Sequence, residues 1–204
     1  MQPVVVERHV TASGVLASGM FGMSEGNEAH IFGILRDTLY SDKELAVIRE
    51  YSTNAWDAHR EAGKGDVPIK VVLPTALEPS LVVRDYGKGL SEEDVFGTYT
   101  QYGASTKRGS NLGVGHLGIG SKSAFCYSDT FTITSFHAGM KRVYVATLDE
   151  SNVGQAIKMF EEPCGEEETG IEIKVPVDPK NIHAFHRAAT TLFPFFQPTP
   201  NINI

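Results

Sequence analysis

The chain has little from which to build a covalent or metal framework. Its two cysteines, Cys126 and Cys164, show neither a CxxC nor a zinc-type spacing, which excludes a disulfide scaffold and a thiolate-held structural metal. They read as thiols in a reducing compartment. Long apolar runs are missing too: none approaches the ~20 residues that a bilayer-spanning helix needs. The Met1-Gln2-Pro3 start puts no basic stretch ahead of an apolar one, so no secretory leader is expected. Basic residues are few and scattered, 18 Lys and Arg against 25 Asp and Glu for a net charge of -7. That distribution excludes a dedicated nucleic-acid surface, which needs clustered cations to neutralise phosphates. A cytosolic domain is the expectation.

What is present suffices for one core. With 204 residues, 41% of them hydrophobic, the chain is long enough for a single well-cored domain. Residues 1–194 read as that domain, and the Pro-rich segment 195–204 as an extended exit from it. One or two strands are expected between Val4 and Ser24, and a helix over Glu28–Tyr40. Ser41 with Glu44 three residues on forms a capping-box pattern opening a second helix, closed by Gly63 and Gly65. Strands follow at Ile69–Leu73 and Leu81–Arg84, joined by a Pro-bearing turn. Ser91 then caps a short acidic helix over Glu92–Asp94. From Thr98 to Gly120 glycines alternate with Ser, Thr and Lys and few large apolar residues, the composition of a functional loop. A helix start is expected at Ser121–Phe125, strands at Thr130–Phe136, Arg142–Leu148, Ala156–Phe160 and Ile171–Val175, and a helix at Pro179–Phe193.

Three features carry chemistry. On the helix opened by Ser41, Glu50, Asn54 and Asp57 stand at i, i+4 and i+7 and share one face. That row holds no compensating cation; taken alone it is a polar helix face. Asp85, at the end of the second strand, runs into Gly87 and Gly89; it is an ordinary Asp-initiated turn or a held carboxylate able to accept from an exocyclic amine. Gly115, Gly118 and Gly120 precede a helix start, where free amides can face phosphate. A dinucleotide fold fails because these glycines follow a long loop deep in the chain rather than the first strand. A P-loop fails because Lys122 is misplaced relative to Gly120. Ser105 and Thr106 have no base spaced to activate them as nucleophiles.

Taken in order, Glu-x3-Asn-x2-Asp on a helix, strand-Asp-x-Gly-x-Gly, a Gly/Ser/Thr-rich lid ending in Gly-x2-Gly-x-Gly, and Thr169-Gly170 entering a strand resemble the GHKL ATPase superfamily. That group includes gyrase-type topoisomerases, heat-shock chaperones, histidine kinases and MutL-type repair proteins. The resemblance runs from about residue 40 to 176, and a second set of runs, including Ser105-Thr106-Lys107 and Gly118-Ile119-Gly120, is similar to a phage branch of it. It implies an α/β two-layer sandwich of the Bergerat type, a mixed sheet with helices on one face and a Gly-rich ATP lid. It further implies Glu50 as general base toward the γ-phosphate and Asn54 as a ligand of Mg2+. Asp85, with Gly87 and Gly89, would form the adenine-reading turn. Gly115, Gly118, Ile119 and Gly120 would form the phosphate cradle, with Ser105, Thr106 and Lys107 in the nucleotide site, and Thr169 would support the adenine pocket. Asp57 is either a supporting partner or a helix acid meeting a cation. Lys107 and Lys122 each either reach a phosphate oxygen or stand solvated, and His116 touches phosphate or stays an exposed loop residue. Trp56 is expected to pack in the core against the sheet. ATP or ADP, a second copy of the chain, and a phage or host protein are the implied partners. Slow hydrolysis is the leading expectation. A nucleotide-gated interaction module with little turnover is the rival, and a histidine kinase is disfavoured because no phospho-accepting helix is seen.

Overall fold

The computed structural model describes residues 41–99, 120–148 and 154–203. The expectations for Val4–Ser24 and Glu28–Tyr40 lie outside the described residues, as do Ser105, Thr106, Lys107, Gly115, His116, Gly118 and Ile119.

Helix α1 spans Lys43–Glu61. Its cap falls one residue later than expected: Asp42, not Ser41, accepts the Leu45 amide at 2.9 Å. Glu44 is drawn away from a capping box because its carboxylate takes the Asn181 side-chain amide at 2.7 Å. Gly63, at φ 70°, ends the helix as expected, since a left-handed turn there costs glycine least. The buried stripe Val47, Ile48, Tyr51 and Ala55 faces the sheet; each large side chain so buried contributes roughly 1.5–3 kcal/mol.

The strands are β1 (Lys70–Val72), β2 (Ser80–Arg84), β3 (Thr130–His137), β4 (Met140–Leu148), β5 (Gly154–Pro163), β6 (Gly170–Pro176) and β7 (Asn201–Asn203). They form one mixed sheet in the order β5-β4-β3-β6-β2-β1-β7. All neighbours are antiparallel except β1 and β7. Period-two alternation puts Leu81, Val83, Phe131, Ile133, Ile173 and Val175 in the core. The other face carries Arg84, Glu172 and Thr134, adjacent by register. Ser91 caps α2 (Glu92–Asp94) in a capping box with Asp94, and the chain continues as a π-helical turn over Val95–Tyr99. Residues Gly120–Cys126 form a 3-10 helix. Helix α3 covers Ile182–Leu192 after a 3-10 turn at Pro179–Asn181, and Phe185 packs edge-on to Tyr127.

The Pro-rich segment does not run out from the domain. It folds back so that β7 extends the sheet beside β1, with the Asn201 amide donating to Ile69 O at 2.8 Å. Trp56 joins it instead of the sheet. Its indole N–H donates to Gln197 O at 3.0 Å, and its ring meets Phe196 edge-on. A half-buried indole has its N–H satisfied there.

Candidate nucleotide site

Tyr51 builds one half of the site. It is buried beneath α1, and its hydroxyl donates to Ser121 O at 3.0 Å and accepts from the Ala124 amide at 3.2 Å. Burial pushes its phenol well above the ordinary value, so it remains a neutral donor and clamps the 3-10 helix to α1. The clamp brings Gly120 against the neighbouring residues on that face. A Cβ at Gly120 would lie 2.6 Å from Glu50 Oε2 and 3.7 Å from Asn54 Nδ2, so an added side chain here would displace this carboxylate. Glu50 keeps 24% of its side-chain surface exposed, with Arg49 Nη2 at 3.1 Å. Three residues placed together by the sequence pattern, Glu50, Asn54 and Gly120, therefore meet in space.

Asp57, on the same row, does not stand in solvent. It is 2% exposed. Lys122 is likewise not a solvated lysine. It is 7% exposed, its ammonium lies 5.9 Å from the Tyr99 ring centroid, and burial lowers its pKa to about 8.

The second half forms where β2 ends beside the start of β6. Asp85 is 6% exposed; its own amide donates to Ile171 O at 2.8 Å, and its Oδ1 accepts the Gly87 amide at 2.8 Å. Burial raises its pKa to about 6, against the amide hydrogen bonds of Gly87 and Ile171 and the charges of Arg84 and Lys64. Gly87 sits where a Cβ would come 3.0 Å from Ala58 Cβ, so the turn lies directly on α1. Thr169 is drawn to the same place: its hydroxyl lies 3.4 Å from Tyr86 O and 3.3 Å from Lys64 Nζ. The buried Tyr99 hydroxyl has no hydrogen-bond partner among the described residues; burial, and then the Asp85 charge, push it upward.

Residues 41–169 match the family described as histidine kinase-, DNA gyrase B- and HSP90-like ATPase. This chain belongs to that ATPase family. Its curated relatives include chaperone protein HtpG of Rickettsia typhi, 28% identical over 149 residues, which are 62% of this chain and 24% of the relative. The HtpG of Rickettsia bellii is 29% identical over 137 residues, 56% of this chain and 22% of the relative. That of Rickettsia rickettsii is 27% identical over 155 residues, 64% of this chain and 25% of the relative. The chain thus spans about a quarter of the length of the curated relatives it matches. The mixed sheet, of seven strands among the described residues, with its helices is the α/β architecture expected of the ATPase family, and no helix among the described residues is long and apolar enough to cross a membrane.

Several residues that shape the candidate site carried no signal in the sequence pattern. Arg84 lies on the opposite face of the sheet from the helices, stacked 4.0 Å above the Phe136 ring. From there it donates to Asp85 O and, at 2.9 Å, to Thr169 O, tying the two strand ends together. Its position directly before Asp85 was the one available hint. Tyr51, His59 and Lys64 reach partners 22 to 105 positions away in Ser121, Tyr86 and Thr169, and only folding brings these together.

Proposed function

We propose that this domain binds ATP with magnesium and hydrolyses it slowly, with Glu50 as the general base. The observation that carries the reading is the approach of the Gly120 backbone to the Glu50 carboxylate and the Asn54 amide. It places the start of the 3-10 helix that follows the glycine-rich segment beside a carboxylate, and a partly exposed carboxylate within reach of water can accept its proton. Asn54 offers a neutral oxygen of the type a hard cation accepts. Among the described residues no group of three or more His, Cys, Asp or Glu could hold a metal by itself. Asn54 would be the described residue that holds magnesium, through its neutral amide oxygen. When bound, the ion would supply charge neutralisation at the phosphates.

At the other end Asp85 would accept from the exocyclic amine of adenine, with Thr169 supporting the pocket; Gly87 and Gly89 let the turn pack on the protein itself, since a Cβ at Gly87 would meet Ala58 and one at Gly89 the Phe136 carbonyl oxygen. Asp57 would brace the helix row from within. The Gly-rich segment, with Ser105, Thr106, Lys107, Gly115, Gly118 and Ile119, would bind the phosphates, and nucleotide-driven pairing of two copies belongs to the same reading. The runs Val47–Glu50, Asp57–His59, Ser105–Lys107, Gly118–Ser123, Tyr127–Phe131 and Thr169–Ile173 support a phage rII A-like setting, a lysis-inhibition protein acting on a phage or host partner. The test of the chemistry is Glu50→Ala. Hydrolysis should fall by about 10²–10⁴-fold, the usual contribution of a general base, while ATP affinity stays within a few-fold. Turnover retained in that variant would overturn the assignment.

A further inference from the structure

The turn that carries Asp85 is held from below by two residues of α1 and its exit that the proposed chemistry does not use. His59 is fully buried in the last turns of α1. Its Nδ1 lies 2.8 Å from Val67 O and its Nε2 2.7 Å from the Tyr86 amide nitrogen. A backbone amide can only donate, so Nε2 must accept and the ring proton must sit on Nδ1, donated to Val67 O. Only the neutral ring satisfies both bonds. Burial, with Lys64 and Arg84 adding their charges, pushes His59 below its ordinary value against the Val67 hydrogen bond.

Lys64 works on the next peptide. Gly63 turns the chain back at φ 70°, the Lys64 amide donates to His59 O at 2.7 Å, and its ammonium reaches Tyr86 O at 2.6 Å and Thr169 Oγ1 at 3.3 Å. Both peptide units joining Asp85 to Gly87 are therefore gripped from the helix side. His59 holds the N–H of the first and Lys64 the C=O of the second. The Gly87 amide then closes back onto Asp85 Oδ1, leaving the carboxylate little freedom of direction.

We propose that His59 and Lys64 are positioning residues for base recognition: by fixing the Asp85–Gly87 turn and the Thr169 hydroxyl they set this domain's preference for a purine bearing an exocyclic amine at the position Asp85 faces. This rests on Asp85 being the base reader. Neither residue need touch the nucleotide, so their loss acts through Asp85.

The experiment measures ATP and GTP affinity for the wild-type chain and for His59→Leu, His59→Gln, Lys64→Met and Asp85→Asn, together with imidazole 15N shifts of the wild type. Leucine fills the space without an acceptor, whereas the glutamine amide oxygen can take the place of Nε2. His59→Leu should weaken ATP binding by about tenfold, the cost of leaving one buried donor unpaired, and leave GTP binding unchanged, so that the selectivity ratio collapses. His59→Gln should restore most of the ratio, Lys64→Met should reduce it, and the wild-type ring should carry its proton on Nδ1. A wild type that fails to prefer ATP over GTP overturns the reading of Asp85, and this inference with it. A wild-type preference lost in Asp85→Asn but kept in both His59→Leu and Lys64→Met overturns this inference alone. So does a ring protonated on Nε2, a result that stands even where His59→Leu does not fold.

Discussion

Asp85→Asn should make the nucleotide-free domain more stable at neutral pH while weakening its hold on ATP. The carboxyl ordinarily titrates at 3.8 and here at about 6, chiefly because it is buried. A folded-state value above the unfolded one means that the native protein binds the extra proton. The stability linked to that proton is fully present below about pH 4 and is lost as pH rises through about 6. At ~1.4 kcal/mol per pH unit, the ionised form at pH 7 costs up to about 3 kcal/mol. Asparagine is never charged and can still accept the Gly87 amide, so it removes that cost. Its amide brings two hydrogens where the acid carried at most one, and an unpaired one costs about 1–3 kcal/mol. This offset is the same at every pH and does not alter the shape of the difference. Urea unfolding at intervals from pH 4 to 8 measures the gap between the two proteins, which should widen by up to about 3 kcal/mol across the range, most of it between pH 4 and 6.5. ATP titrations on the same samples should show the binding loss. Parallel stability curves would refute the argument, because they would mean that Asp85 meets no greater penalty for its charge in the folded protein than in the unfolded one.

Two further substitutions test the backbone approaches. Gly120→Ala puts a methyl where Glu50 Oε2 lies 2.6 Å away and must push that carboxylate aside; steady-state hydrolysis should drop by about 10–100-fold, as expected for a displacement near 1 Å, with only a small change in melting temperature. Gly170→Ala imposes a side chain at φ 108° and against the Asp85 carbonyl oxygen; chemical denaturation should show a loss of at least ~2 kcal/mol, with ATP affinity falling as the Asp85–Thr169 junction opens.

Much of the element order was legible because it depends on short-range rules. The apolar spacing of α1, the Ser91 cap, the strand runs of β2, β3, β4 and β6, and the glycine stop at Gly63 all follow from periodicity and local backbone preference. Where the reading slipped, a competing or distant partner intervened. Ser41 lost the cap once Asp42 took the Leu45 amide and Glu44 turned to Asn181. The tail at residues 195–204 looked like an exit because nothing local shows that β1 has an open edge for β7. Lys122 is a polar residue in a glycine-rich setting, and its burial depends on Tyr99 and the 3-10 helix docking against α1.

The row Glu50-Asn54-Asp57 shows how the two kinds of information divide. That all three lie on one face of a helix follows from 3.6 residues per turn, and membership of the ATPase family follows from motif order, since both are properties of the chain read in sequence. Their separate surroundings do not follow from it. Glu50 stays partly in solvent beside Gly120, Asn54 lies near that same backbone, and Asp57 is enclosed. The pinning of Asp85 by His59, Lys64 and Arg84 is likewise a matter of tertiary structure. Burial and hydrogen-bond direction depend on which remote segments close over a residue, and a single helix or strand contains no record of them.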